Sequence, residues 1–273
     1  MDQELEKYRK WIGRTQVQED IAAPFPPKAL IATLDARDPA PAKGDPLPPL
    51  WHWLYFLEAA PASKIGHDGH PPRGALLPPV TLPRRMWAGS RLHFEGDIRL
   101  GDEIRRESQI VSVEPKTGAS GQMVFVGVRH RIFARGEEVV IEEQDIVYRQ
   151  APQPGEKPAA PRQAPTGAAW IKEVKADPVL LFRFSALMFI GHRIHYDQPY
   201  ATGEEAYPGL VVHGPLMGLM QMELARRSSP GKRAKAFEFR AISPVFDVTP
   251  FTVNGKPEGS TATTWVPRPD GGL

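Results

Sequence analysis

The stretch GPLMGLMQMELAR, residues 214–226, decides the architecture that the sequence predicts. Its apolar side chains occupy positions 216, 217, 219, 220, 222 and 224, so a helix through these residues is apolar on nearly every face. A helix with that pattern is buried by other parts of its protein on most sides. We therefore expect a central helix that is wrapped by the rest of the second half of the chain.

The simplest architecture for each half is a long antiparallel sheet curled around one buried helix, and in the first half three segments predict the sheet. Residues 108–113, 122–132 and 138–148 alternate in polarity or are rich in β-branched side chains, and glycine-containing turns separate them. This pattern is typical of an antiparallel meander of long strands. Residues 50–57, LWHWLYFL, follow a proline pair that suits a helix start, and we expect them to form the buried helix of the first half.

The chain divides at a proline-rich stretch. Residues 151–168 contain almost no large apolar side chains and read as an extended connector between residues 1–150 and 169–273. The two halves resemble each other at an offset of 145 positions, which indicates a duplication. The matched pairs are Leu92 with Phe237, Phe94 with Phe239, Leu100 with Val245, and Asp102 with Asp247.

Composition excludes several classes of function. The 273 residues include 34 lysines and arginines and 32 acidic residues, and this balance argues against a nucleic-acid partner. The absence of cysteine excludes a disulfide scaffold, a thiol nucleophile and a cysteine-ligated zinc or iron–sulfur site. The charged start and the lack of a long apolar run predict a cytoplasmic protein with no membrane partner.

Two segments concentrate the side chains that carry chemistry, FRFSALMFIGHRIHYD (182–197) and YPGLVVHGPLM (207–217). The first contains His192, His195 and Asp197, and the second places His213 and Gly214 at the entry of the predicted helix. A helix N-terminus offers unpaired N–H groups and partial positive charge, which polarise a carbonyl oxygen. A nearby histidine can accept or donate a proton near neutral pH.

Other interpretations of these histidines remain open. His192 and His195 have a spacing that two metal ligands can have, but no glutamate completes a known metal motif, so we predict no metal. They can equally be ordinary residues at a strand end. His213 can simply hydrogen-bond the backbone at the helix entry. The segment GHDGHP (66–71) resembles a ligand-rich stretch, yet its glycines and proline favour a tight loop.

The same segments resemble the MaoC-like, (R)-specific enoyl-thioester hydratase family, which has the hotdog fold. Its motif runs Ser/Thr-Gly-Asp-x-Asn-Pro-Ile/Leu-His-x-Asp, and His195 falls on the histidine, with Ile194 before it and Asp197 two positions after. The sequence VVHGPLM resembles the family's entry to the hotdog helix, so Gly214 is expected to supply the N–H that binds the thioester oxygen. The first half resembles the two-hotdog subgroup through residues 49–54, 66–71, 82–89 and 145–149.

The motif is altered at the position of its catalytic aspartate. Ile190 stands there, His192 stands in place of the asparagine and Arg193 in place of the proline. Three explanations remain open: His195 works with another group, of which His192 and Asp197 are the nearest in sequence, or it activates water beside an oxyanion site alone, or the protein is a weakened relative. The expected catalytic set is His195, Gly214, Asp197 and His192.

The resemblance implies an α+β double hotdog, in which two antiparallel sheets each wrap a central helix and form a pseudo-dimer. The second half then carries the catalytic motif, and the first half shapes the pocket without catalysing. The implied reaction is hydration of a short unsaturated acyl-CoA without a cofactor, with itaconyl-CoA or mesaconyl-C4-CoA giving citramalyl-CoA. The overall resemblance and the altered position 190 favour itaconyl-CoA, and hence a role in itaconate degradation. The side chains expected to line the substrate are Arg193, Arg84, Arg85, His213 and Ile190.

Two alternative functions are kept. One is dehydration of a 3-hydroxyacyl thioester on an acyl-carrier protein, which predicts a basic exposed patch and a long apolar tunnel. The other is a binding protein for acyl-CoA that has no catalytic activity, which the missing aspartate favours. The family resemblance also implies a homo-oligomer.

Overall fold

A computed structural model describes residues 6–36, 38–118, 121–150 and 162–273. Most of the predicted connector, residues 151–161, lies outside these described ranges. The chain forms two compact units, and each unit combines segments from both sides of that connector. The first comprises Met1–Ala22, Pro72–Ala159 and Lys235–Ala241, and the second comprises Ala23–Pro71, Ala160–Ala234 and Ile242–Leu273. The division of the sequence into 1–150 and 169–273 therefore remains a prediction about an ancestral repeat.

The first unit is built on one antiparallel sheet of six strands in the order β1-β3-β4-β5-β2-β7. The strands are β1 (Thr15–Ile21), β2 (Arg84–Phe94), β3 (Glu103–Gly118), β4 (Gly121–Ala134), β5 (Glu137–Arg149) and β7 (Ala236–Arg240). Strands β3, β4 and β5 form the meander that the alternating pattern predicts. β-Branched and aromatic side chains from its inner face build the core, together with Tyr8 from a short 3-10 helix at Lys7–Trp11.

The second unit contains three α-helices and a smaller sheet. The helices are α1 (Phe25–Thr33), α2 (Pro178–Leu187) and α3 (Gly214–Ser228), and the strands are β6 (Trp170–Val174), β8 (Phe251–Glu258) and β9 (Thr261–Trp265) in the order β6-β8-β9. Helix α3 contacts all three strands. The helix predicted at 214–226 is thus confirmed, and in that stretch only non-exposed residues occur. Within the described ranges, no helix is long and apolar enough to cross a membrane.

The prediction of a helix over residues 50–57 is wrong, because the helix that forms there is much shorter. The segment is buried as expected, but it forms only one turn of 3-10 helix at Trp51–Leu54. The backbone at Leu50 and at Phe56 is left-handed, with φ of 71° and 59°, and this conformation cannot continue a right-handed helix on either side.

A buried carboxylate ties helix α3 to two other segments of the second unit. Glu223 accepts hydrogen bonds from the indole Nε1 of Trp51 (3.2 Å) and from Nη2 of Arg226 (2.7 Å). Arg226 and Arg227 both pair in turn with Asp38, at 3.0 and 2.6 Å. The charge of Glu223 is therefore compensated where water does not reach it, and the loops around Trp51 and Asp38 are fixed to the helix.

Removing this carboxylate is expected to destabilise the fold. In Glu223→Ala, Trp51 loses a buried acceptor and two arginines lose their buried counter-ion, so the free energy of unfolding should fall by about 2–4 kcal/mol. Urea denaturation measures the change. The matched control is Glu238→Ala, because Glu238 pairs with Arg240 at the surface and should contribute less than about 0.5 kcal/mol. Equal stabilities of the two variants would contradict the assigned role of Glu223.

Candidate active site

Helix α2 positions the loop that carries the motif histidines. Asp177 caps its start by accepting a hydrogen bond from the Leu180 N–H (2.9 Å). At its end Phe189 is left-handed, with φ of 52°, and the Ile190 N–H donates to the Ser185 carbonyl (2.8 Å). This geometry is a Schellman motif, which closes the helix and turns the chain sharply. Position 190 is thus part of a helix terminus, and the isoleucine there offers no proton.

The imidazole of His195 is held in one tautomer by the backbone. Its Nδ1 lies 2.7 Å from the carbonyl oxygen of Val211, and a carbonyl can only accept, so Nδ1 carries the proton. The Val211 N–H donates to the Ile194 carbonyl at 2.9 Å, which fixes the same pair of segments from the other side. The lone pair of Nε2 is therefore available as a base, and Nε2 makes no hydrogen bond with any residue that the structure describes.

A second imidazole supports the first. The ring of His213 is fully buried, stacks on the ring of His195 with centroids 3.8 Å apart, and places Nε2 2.8 Å from Oγ of the buried Ser185. Burial lowers the pKa of His195 to about 4, against the smaller opposing effect of its bond to Val211. Burial also brings the pKa of His213 well below its usual value. Both rings are therefore neutral at pH 7.

Helix α3 begins immediately beside this pair of rings. His213 is its N-cap residue, and Gly214 and Pro215 open the first turn. The Gly214 N–H donates to no acceptor in the described part of the chain, and a β-carbon built on Gly214 would meet nothing within 4 Å. The sequence prediction thus placed His195 and Gly214 in one site, and the structure brings them together through His213. An oxygen at this point would meet an unpaired N–H at the positive end of a helix.

The predicted residues Arg193 and Asp197 act on each other. Nε of Arg193 donates to Oδ2 of Asp197 at 2.9 Å, and the guanidinium lies over the ring of Tyr200 at 4.2 Å. Asp197 also accepts from the Tyr200 N–H (3.2 Å). The hydrogen bond from Arg193 lowers the pKa of Asp197, so this carboxylate stays ionised. Its contacts give it the role of holding the loop after His195.

The remaining predicted residues divide between the two units. His192 lies next to His195, with ring centroids 5.5 Å apart in an edge-to-face arrangement. Arg84 and Arg85 lie on β2 of the first unit, opposite Arg149 and Tyr148 of β5. Their predicted role in binding the substrate remains a prediction.

Sequence reasoning did not anticipate the position of the GHDGHP segment. The tight loop is present, since the Gly66 N–H donates to the His70 carbonyl (2.8 Å), but it also carries Asp68 and His70 to the motif histidines. Nδ1 of His70 lies 2.9 Å from Oδ2 of Asp68, and the His70 ring lies 4.0 Å from the ring of His192. The candidate ligand atoms of Asp68, His70 and His192 lie within 4.8 Å of one another, a spacing that a metal ion could also use.

A family model and two known proteins match this chain over most of its length. The family model of hydroxyacyl-thioester dehydratase type 2 matches residues 50–247. This chain belongs to that family. It is 46% identical to mesaconyl-C(4)-CoA hydratase of Chloroflexus aurantiacus, over 96% of this chain and 93% of that protein. It is 28% identical to the mitochondrial hydroxyacyl-thioester dehydratase type 2 of Schizosaccharomyces pombe, over 92% of both proteins.

Solved structures confirm the predicted α+β double hotdog. A MaoC-like dehydratase from Phytophthora capsici superposes with a TM-score of 0.70 at 13% identity, covering 98% of this chain and 94% of that one. A Mycobacterium tuberculosis protein with a double hotdog fold superposes with a TM-score of 0.56 at 13% identity, covering 93% and 88%. The family resemblance expected from the motifs around His195 and Gly214 is confirmed by the family model and by the 46% identical relative.

The tautomer and charge of His195 can be measured directly. We expect ¹⁵N NMR of the imidazole to show the neutral Nδ1–H form from pH 8 down to about pH 5, because burial lowers its pKa to about 4. The His195→Gln variant assigns the signal. Protonation near the ordinary pKa of about 6.5 would contradict the effect of burial, and a dominant Nε2–H form would contradict the bond to Val211.

Proposed function

We propose that this protein is a carbon–oxygen lyase that adds water to a short unsaturated acyl-CoA, with mesaconyl-C4-CoA as substrate and citramalyl-CoA as product. The observation that carries the proposal is a neutral imidazole, His195, with Nε2 unoccupied, beside a helix whose first N–H, at Gly214, is unpaired. Near-full-length similarity to a mesaconyl-C(4)-CoA hydratase supports the substrate.

The two groups match the charges that develop during hydration. His195 Nε2 removes a proton from water as the water oxygen bonds to C3 of the substrate. The alkene electrons move toward C2, and negative charge accumulates on the thioester oxygen. The Gly214 N–H is positioned to bind that oxygen, and one such donor is typically worth about 3 kcal/mol in the transition state. A proton then reaches C2 and completes the addition.

This mechanism favours mesaconyl-C4-CoA over itaconyl-CoA. In mesaconyl-C4-CoA the double bond is conjugated to the thioester, so attack at C3 places charge on the oxygen that Gly214 would bind. In itaconyl-CoA the double bond is separated from the thioester, and the oxyanion donor gives no such assistance. Hydration of either ester gives citramalyl-CoA, and a role in itaconate degradation would require hydration of itaconyl-CoA. We propose mesaconyl-C4-CoA as the substrate.

The free carboxylate of a C5 substrate requires a cation. Among the arginines that the sequence suggested, Arg193 is already paired with Asp197 and stacked on Tyr200. In the proposal Arg193 positions the loop, and Arg84 and Arg85 remain the candidates for binding the carboxylate or the CoA phosphates.

We also propose a cytoplasmic location and a homo-oligomeric state, which rest on the sequence and the family resemblance.

Hydration is tested with a panel of acyl-CoA esters. Incubation of the wild-type protein with mesaconyl-C4-CoA should give a product heavier by 18 Da, and itaconyl-CoA and straight-chain enoyl-CoA esters should react more slowly. His195→Gln should lower kcat by about 10²–10⁴-fold, because the base is lost. His93→Gln, on the exposed face of β2, is the control and should retain activity. Absence of an 18 Da gain with every ester would favour a binding protein instead.

The oxyanion donor is tested by Gly214→Ala. The added methyl group meets nothing in the folded chain, and alanine is the better helix former, so thermal stability should be unchanged or raised. We expect kcat/KM to fall at least about tenfold, because the methyl group occupies space next to the N–H that the thioester oxygen needs. A variant that is stable and fully active would remove Gly214 from the proposed site.

A further inference from the structure

We propose that His70, held by Asp68, is the proton donor of this site and takes the place of the carboxylate that position 190 lacks. The inference rests on the proposed hydration and names the group that delivers the proton to C2. It assigns a chemical role to a segment of residues 1–150, the half that the sequence predicted to shape the pocket without catalysing.

The geometry brings three imidazoles into a row. The ring of His70 lies 4.0 Å from that of His192, and the ring of His192 lies 5.5 Å from that of His195. Nδ1 of His70 lies 2.9 Å from Oδ2 of Asp68, and Oδ1 of Asp68 accepts from the His70 backbone N–H at 3.0 Å. The carboxylate therefore fixes both the position of His70 and its Nδ1–H form, which directs Nε2 away from Asp68.

Glycines allow the GHDGHP loop to pack closely against the segment that carries His192 and His195. A β-carbon on Gly69 would lie 1.8 Å from the Gly191 carbonyl oxygen, and one on Gly191 would lie 2.6 Å from the Gly69 carbonyl oxygen. The two glycines thus allow the backbones of the two segments to come into contact. The Arg193 N–H stabilises this contact by donating a hydrogen bond to the Asp68 carbonyl (2.9 Å). The backbone of the GHDGHP loop is fixed directly against the segment that carries His192 and His195.

The surroundings separate the roles of the two outer histidines. Hydrogen bonding from His70 keeps the pKa of Asp68 well below its usual range, so a full negative charge sits beside the His70 ring. That charge stabilises an imidazolium at His70. Among the described residues His195 has no carboxylate partner, and burial together with the charge of His70 lowers its pKa to about 4. The two outer histidines thus stand in different surroundings, one beside a carboxylate and one buried, and such a difference can separate an acid from a base in one site.

The proton inventory then balances. Water gives one proton to His195 Nε2 while its oxygen bonds to C3. The His70 imidazolium gives its Nε2 proton to C2, which forms the C2–H bond and leaves His70 neutral. The protonated His195 returns its proton to His70 through His192 or solvent. The net change is the addition of one water molecule, with both histidines restored and no further reactant.

Kinetics of two substitutions test the assignment, on whichever ester of the panel the wild-type protein hydrates fastest. We expect His70→Gln to lower kcat by about 10²-fold or more with KM within about threefold, because the proton donor is lost while the binding surface remains. Asp68→Asn should lower kcat by about tenfold. Free imidazole should restore turnover to His70→Ala in a saturable manner, which a structural role would not allow.

The matched control is His67→Gln, in the same loop but exposed and paired with Glu204 at 2.7 Å, and it should keep wild-type kinetics. Circular dichroism and the thermal midpoint establish that each variant is folded. Wild-type activity in His70→Gln, or a loss carried by KM alone, would overturn the assignment. Activity that a chelator removes and Zn²⁺ restores would overturn it in favour of a metal at Asp68, His70 and His192. If the wild-type protein hydrates none of the esters, the result contradicts the proposed hydratase function and not the role of His70 in particular.

Discussion

The hydrogen bond between the His195 ring and the Val211 carbonyl is the constraint on which the site depends. It places the proton on Nδ1 and leaves Nε2 as a base, which the unperturbed tautomer equilibrium would not guarantee. Val211 can hold that carbonyl in place because its N–H is bound to Ile194 and its backbone bridges to Phe246. The base is thus oriented by backbone that the fold itself fixes, rather than by a second ionisable side chain.

The surroundings of each histidine determine which charge state is favoured. His213 and His195 are stacked, and burial lowers the pKa of both rings, so both are neutral and the stack is stable at neutral pH. In their unfolded state both would bind protons below about pH 6.5, so acidification toward pH 4 withdraws stability from the fold. His70 stands at the other end of the row, where the Asp68 carboxylate compensates a positive charge. The proposed base and the proposed acid therefore stand at opposite ends of the row, each in the surroundings that its role requires.

Periodicity and motif spacing predicted the parts of the molecule that depend on local sequence. The helix at 214–226, the meander of β3, β4 and β5, and the placement of His195 beside Gly214 all follow from residues close together in the chain. The helix expected at 50–57 failed because left-handed Leu50 and Phe56 confine it to one turn, and no apolar pattern reports a backbone angle. The partnership of Asp68 with His192 escaped prediction because more than 120 residues separate loops that meet only through tertiary packing.

Isoleucine at position 190, where the family motif has an aspartate, is compatible with the geometry of the proposed site. The position lies in the Schellman motif that ends α2, where the backbone N–H binds the Ser185 carbonyl whatever side chain is present. An apolar residue there leaves the turn intact, and the turn still delivers His192 and His195 to the start of α3. The positions of the proposed base, His195, and of the proposed oxyanion donor, Gly214, therefore do not depend on an acidic side chain at position 190. What the site then needs is a proton donor from another segment, and the loop that the Gly69–Gly191 contact presses against the histidines is placed to provide one.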